Sequence, residues 1–144
     1  MSSAIYPALF FTVAMMVNTG YFLLGGLPLL ILKHDEPVDA RFVRGFFNVY
    51  YHAAFWVALG AAVSYALWGR FVFAVGAAVL AAVATILRRR LLPEMLQVGS
   101  QIEAGDASAL QRFRRMHATV LALNLVQLMV IVGGLIVLSR ALSR

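Results

Sequence analysis

The chain has 144 residues, of which 62% are apolar and only 12% are charged. A water-soluble domain of this length needs more charged residues to cover its surface, so the composition predicts an integral membrane protein instead. There is no cysteine, which excludes disulfides, thiolate metal sites and thiol nucleophiles. The net charge of +6 is typical of a membrane protein that contacts lipid headgroups and does not indicate nucleic-acid binding.

Four apolar blocks follow one another along the chain. The first contains Gly25-Gly26-Leu27-Pro28, which predicts a kink, and it lacks the basic start of a cleaved signal peptide. About 20 residues of helix cross the hydrocarbon core, where backbone groups have no water partners and must bond within helices. The sequence therefore predicts an all-α polytopic membrane protein, an antiparallel four-helix bundle that forms one domain over residues 1–144. The predicted spans are residues 4–32, 46–68, 71–87 and 116–138.

The segments between the spans indicate the orientation of the chain. Nine of the twelve Lys and Arg residues lie in loops 33–45 and 88–115, which places these loops in the cytoplasm and both termini on the other side. All six acidic residues lie in the same two loops, so no span contains a carboxylate. We interpret His34, which lies beside acids, as solvated. The heavy use of Ala, Arg, Val and Leu is typical of a GC-rich bacterial genome and predicts the bacterial cytoplasmic membrane.

The longer loop, 88–115, is predicted to be largely helical. Apolar residues from Leu91 to Ile102 recur at helical spacing, so the third helix should continue past its span, with a bend at Pro93. Asp106 is then suited to cap the start of the fourth helix, and Asp39 to start the second helix before its span.

Small residues should carry the packing, because lipid gives helices little hydrophobic reason to associate. They predict both internal packing and contact with a second copy or another subunit, and the sequence does not separate the two. The residues concerned are Ala54, Ala58, Gly60, Ala61 and Ala62 in the second span, Gly76, Ala77, Ala78, Ala81, Ala82 and Ala84 in the third, and Gly133 and Gly134 in the fourth.

Polar residues within the spans are the candidate functional residues, since they are costly in lipid and usually face the bundle interior. In the second span, Asn48, His52, Trp56, Gly60 and Ser64 recur at a spacing of four and are predicted to share one face. In the fourth, His117 and Asn124 are seven residues apart, with Gln127 nearby.

Three interpretations of this polar cluster stay open. His, Asn and Gln side chains could bond one another and lock the helices together. His52 and His117 could instead ligate haem b or a metal ion such as copper, with Asn48, Asn124 and Gln127 around them. His117 could also belong, with the arginines before it, to a surface that binds anionic lipid headgroups.

The C-terminal half carries a pattern seen elsewhere. Arg89-Arg90-Leu91-Leu92-Pro93-Glu94, followed by Phe113-Arg114-Arg115-Met116-His117 and Asn124, resembles small four-helix membrane proteins related to the copper-resistance CopD family. Gly25-Gly26-Leu27-Pro28 is similar to the proline-ended first helix of that group. The resemblance implies copper or haem handling, with His52 and His117 as the positions concerned, although the chain lacks cysteine and clustered methionine ligands.

No catalytic motif appears, since the chain has no Ser-His-Asp set, paired carboxylates, phosphate loop or HExxH sequence. The leading hypothesis is a non-catalytic accessory or scaffold element of a larger membrane complex. The alternatives are a haem- or metal-binding redox protein that uses His52 and His117, and a small-molecule transporter. The predicted partners are the bilayer, anionic headgroups at the arginine-rich loops, and other protein chains or a second copy.

Overall fold

The computed structural model describes residues 3–31 and 37–142, which form four α-helices. No β-strand occurs among these residues, and the predicted all-α bundle is confirmed. His34 and its neighbours in segment 32–36 lie outside the described residues. The helices are α1 (Ile5–Ile31), α2 (Pro37–Leu67), α3 (Phe71–Glu103) and α4 (Ala107–Leu142).

All four helices are long and apolar enough to cross a bilayer. Their outer faces present large apolar side chains, such as Phe10, which is 67% exposed, and Val72, which is 84% exposed. Water-soluble proteins rarely expose contiguous apolar surface on this scale, whereas a lipid-facing surface requires it. The chain is therefore an integral membrane protein.

The helices form a closed ring in the order of the chain. Each helix packs against the next, and α4 returns to pack against α1. Within the described residues, α1 and α3 lie diagonally opposite each other, as do α2 and α4, and neither diagonal pair brings its backbones together. Because the backbones of α2 and α4 stay apart, these two helices contact each other across the interior only through their side chains.

The most extensive interface, between α2 and α3, is built from alanines. On α3 the buried positions Ala74, Ala77, Ala81 and Ala84 alternate in spacings of three and four, a pattern that keeps them on one side of the helix. Small side chains let two backbones approach closely, so dispersion contacts between the helices increase. The facing alanines of α2 are Ala54, Ala58 and Ala61, all of them buried.

Only part of the predicted set of small residues lies in these interfaces. Gly76, Ala78 and Ala82 are exposed on α3, and Gly133 is exposed on α4. They lie on other sides of their helices than the buried alanines, so they do not serve the internal packing of the bundle.

Two glycines of α1 allow close packing instead. A Cβ atom at Gly26 would lie 2.5 Å from Cδ2 of Leu121 on α4, and one at Gly25 would lie 2.9 Å from Cζ of Phe46 on α2. The helix runs without interruption through Pro28. The Gly-Gly pair therefore allows neighbouring helices to approach α1 near its C-terminal end.

The helices extend well past the predicted spans at the end of the bundle that carries the two long loops. As predicted, α3 continues through Pro93, and it ends only at Glu103. Leu91, Met95 and Val98 are also buried, at spacings of four and three residues like those of the buried alanines. At about 1.5 Å per residue, this extension projects α3 by roughly 24 Å beyond its predicted span.

The turn between α3 and α4 confirms the predicted cap at Asp106. Gly105 has φ of 85°, a left-handed conformation that suits glycine, and it redirects the chain after α3. The backbone N–H of Ser108 then donates to Oδ1 of Asp106 at 2.8 Å, which satisfies one unpaired donor of the first turn of α4. Hydrogen bonds from the Ser108 side chain and backbone lower the pKa of the Asp106 carboxyl below its ordinary value.

Candidate functional site

A hydrogen-bonded network of polar side chains crosses the bundle interior from α2 to α4. The Tyr50 hydroxyl of α2 donates to Oδ1 of Asn124 on α4. The Asn124 amide nitrogen donates to the Tyr51 hydroxyl at 3.3 Å and to the Val120 carbonyl oxygen, one turn earlier in α4, at 2.8 Å. Asn124 is 2% exposed, so these bonds satisfy an amide that would otherwise be costly to bury.

Gln127 extends the network to α1. Its Nε2 donates to Oγ1 of Thr19 at 3.2 Å and to the Tyr50 hydroxyl at 3.4 Å. The cavity beside Gln127 and Thr19 has a volume of about 10 Å³, whereas small-molecule sites occupy roughly 300–1,000 Å³. The network therefore joins three helices and leaves beside it a space no larger than about one water molecule.

His117 lies in the interior on the same side of α4 as Asn124, as their separation of seven residues predicts. The side chain is fully buried, and its ring meets the ring of Phe47 edge-on, with centroids 5.1 Å apart. Phe47 belongs to the inner face of α2, one turn before Tyr50. His117 therefore occupies an aromatic environment beside the network.

His52 and Asn48 have a different partner from His117. Nε of Arg88 on α3 donates to Oδ1 of Asn48 at 3.0 Å, and the Arg88 guanidinium lies 3.3 Å from Nδ1 of His52. His52 is exposed. The structure thus places the half-buried Asn48 and the exposed His52 beside α3, whereas Asn124 and Gln127 bond residues across the interior and His117 is buried there.

The expectation that the spacing-four set of α2 shares one interior face is wrong. Trp56 is 57% exposed, while Ser64 is buried. A strict spacing of four advances by about 40° around the helix at each step, because 3.6 residues make one turn. From Asn48 to Ser64 this drift reaches about 160°, so the two ends of the set face nearly opposite directions.

Sequence reasoning missed the two tyrosines of the network. The signal that could have found Tyr50 is the series of residues spaced three and four apart along α2, which runs through Val43, Phe47, Tyr50 and Ala54, all buried. Tyr50 then falls on the inner face, where its hydroxyl needs a polar partner across the bundle.

An arginine-lined cavity lies between α2 and α3, at the end that carries the two long loops. It has a volume of about 740 Å³ and is lined by residues of both helices, with no carboxylate among them. An adjoining cavity of about 280 Å³ shares Arg41, Arg44 and Leu96 with it and includes Glu103. We call the larger space the arginine cavity; the charged and polar side chains that line it are those of Arg41, Arg44, Asn48, Arg88 and Arg89.

Neither a metal centre nor a relative identifies the site. Within residues 3–31 and 37–142, no three His, Cys, Asp or Glu side chains gather as metal ligands would. Comparisons with protein-family models, curated proteins and solved structures find no match to this chain. The resemblance to CopD-related proteins stays a prediction from short motifs, and the function has to be argued from the geometry.

Proposed function

We propose that the chain is a non-catalytic accessory element of a larger protein complex in the bacterial cytoplasmic membrane. The observation that carries this proposal is the closed polar network, in which Tyr50, Tyr51, Asn124, Gln127 and Thr19 bond one another. Groups engaged in this way fix the relative positions of three helices. They border a cavity of about 10 Å³, which offers no room for a substrate.

The outer surface of α3 and α4 supports an assembly role. A Cβ atom added at Gly76 or at Gly133 would meet nothing within 4 Å, so neither glycine is needed for packing inside the bundle. Small residues on a lipid-facing surface allow another transmembrane helix to approach closely. This surface is therefore the proposed contact with another subunit or a second copy.

Extraction in native lipid particles tests the assembly. We expect the chain, of 15.8 kDa, to be recovered in particles whose protein mass exceeds that of one copy. Replacing Gly76 or Gly133 with Leu should reduce that mass to one copy without unfolding the bundle. Gly20→Leu on α1 is the matched control, because a Cβ at Gly20 also meets nothing within 4 Å. A lone monomer in both native lipid and mild detergent would refute the proposal.

The proposed orientation places both termini outside the cytoplasm and the arginine-rich end at the anionic headgroups of the cytoplasmic leaflet. The chain has no cysteine, so single cysteines can report on it directly. In intact cells, a membrane-impermeant maleimide should label Ser3→Cys and should reach Gln111→Cys only after permeabilisation. The reverse pattern would overturn the orientation.

A further inference from the structure

Four arginines from two helices face the arginine cavity. Arg41 and Arg44 come from α2, and Arg88 and Arg89 come from α3. No carboxylate is among the residues that line this cavity, and Glu103 lines the smaller adjoining cavity instead. Like charges that converge on one open space repel each other, so the cavity favours an anion that lies between the two helices.

Arg88 is held in a fixed orientation within this cavity. Its Nε donates to Oδ1 of Asn48, and its guanidinium lies 3.3 Å from Nδ1 of His52. These contacts engage Nε and Nη1 of Arg88, whose side chain also lines the cavity. The planar guanidinium has further N–H groups that these two contacts do not use, and such groups suit the oxygens of a phosphate group.

The predicted span boundaries place the cavity at headgroup depth. Asn48 is near the start of the second predicted span, and Arg88 directly follows the end of the third. Arg41 lies seven residues before Asn48, so the cavity extends about 10 Å outward from the edge of the hydrocarbon core. A phosphate bound there would sit at the level where phospholipids carry theirs.

An apolar groove adjoins the arginine cavity across Gly45. The groove lies between α1 and α2, has a volume of about 460 Å³, and is lined by Tyr21, Phe42, Val49 and Ala53 among others. Gly45 lines both spaces and carries no side chain to separate them. A charged cavity at headgroup depth is thus continuous with an apolar groove that runs toward the membrane interior.

We infer that this surface binds one anionic phospholipid, whose phosphate lies in the arginine cavity and whose acyl chain lies in the groove beside Val49. The lipid crosses α2 at Gly45. This inference rests on the proposed placement of the arginine-rich end at anionic headgroups, and it specifies the lipid site there. Basic cavities between transmembrane helices on the cytoplasmic side are suited to anionic headgroups of this kind.

Native mass spectrometry of the protein in mild detergent with added phosphatidylglycerol tests the inference. We expect one tightly retained lipid per chain, and much weaker retention of phosphatidylethanolamine, which has no net charge. The double variant Arg44→Gln/Arg89→Gln should weaken phosphatidylglycerol binding by about 30-fold. The matched control Arg90→Gln/Arg115→Gln removes the same charge from exposed positions outside the cavity and should change binding by less than about threefold.

A second variant tests the path across α2 without changing any charge. Gly45→Leu should weaken phosphatidylglycerol binding at least about fivefold while leaving the bundle folded, because a Cβ at Gly45 meets nothing within 4 Å. Equal loss of binding in the cavity and control double variants would overturn the site. If equimolar inorganic phosphate displaced the lipid, and the Gly45→Leu variant bound phosphatidylglycerol as tightly as the unchanged protein, the cavity would instead be a site for a free anion. None of these results depends on the protein mass of the native lipid particles that tests the assembly. The lipid site and the assembly proposal can therefore each be refuted without the other.

Discussion

The Asn124 amide should contribute measurably to the stability of the bundle, because it is the centre of the interior network. Replacing Asn124 with Ala removes one bond from Tyr50 and one to Tyr51. Hydrogen bonds between transmembrane helices contribute about 0.6 kcal/mol each on average and about 1.7 kcal/mol at most. The side chain is 2% exposed, so its removal also leaves a cavity. We expect a total loss of about 1–3 kcal/mol in the free energy of unfolding.

Reversible unfolding in mixed micelles, followed by tryptophan fluorescence, measures this loss, and a double-mutant cycle isolates the hydrogen bond. Tyr50→Phe removes only the hydroxyl that donates to Asn124. The coupling between Tyr50→Phe and Asn124→Ala should be about 0.6–1.7 kcal/mol. The matched control is Tyr65→Phe, since the Tyr65 hydroxyl bonds Thr12 at 2.7 Å in a separate part of the interior. That cycle should be additive to within about 0.5 kcal/mol.

Additive behaviour in both cycles would refute this reasoning. It would mean that the tyrosine hydroxyl and the amide find equally good partners when either is removed, so that the network does not lock α2 against α4. Coupling of the same size in both cycles would also contradict it, because the effect would then be a general response of the bundle and not a property of one bond.

Three further predictions follow from single contacts. Gly26→Leu should destabilise the bundle by about 1–3 kcal/mol in the same unfolding assay, because its Cβ would overlap a leucine of α4, whereas Gly20→Leu should have little effect. Hydrogen bonds lower the pKa of Asp106 in the folded state, so their contribution is complete at neutral pH and is lost as the pH falls through that lowered pKa. The protection of the amides at the start of α4 against hydrogen exchange, corrected for the intrinsic pH dependence of exchange, should therefore fall in acid, and Asp106→Ala should abolish this fall. His52 is exposed and His117 is fully buried, so we expect that the two do not ligate one haem. His52→Ala should therefore leave any Soret band in the absorption spectrum of the purified protein unchanged. Loss of the band in both His52→Ala and His117→Ala would show that they ligate one haem.

Local features of the helices could be predicted from the sequence because their causes are local. The continuation of α3 past Pro93 follows from the helical spacing of apolar residues after Leu91. The start of α4 follows from Asp106, whose carboxylate bonds a backbone N–H two residues later. His117 and Asn124 share the buried side of α4 because seven residues make almost two whole turns. Each of these inferences needs only the geometry of one helix.

Features that depend on two helices could not be predicted in the same way. Whether Asn48 faces Asn124 or Arg88 depends on how α2 is rotated within the bundle, and a spacing of four does not determine that rotation. In the structure, the residues of α2 spaced three and four apart face the interior. Tyr50 therefore bonds Asn124, while Asn48 and His52 lie beside Arg88. The arginine cavity likewise needs arginines that lie more than forty residues apart in the chain.

The buried side of α3 changes composition near Arg88, where its predicted span ends, and this change suits a helix that leaves lipid for water at that point. Its inner positions are alanines from Ala74 to Ala84 and become larger beyond Arg88, at Leu91, Met95 and Val98. In lipid, burial of a large apolar side chain gains little, and the close approach that alanine permits stabilises the pair. In water, each buried methylene contributes about 0.8 kcal/mol, so larger side chains hold the extension together. Arg88 lies at the junction between these two sets of residues and lines the arginine cavity between α2 and α3.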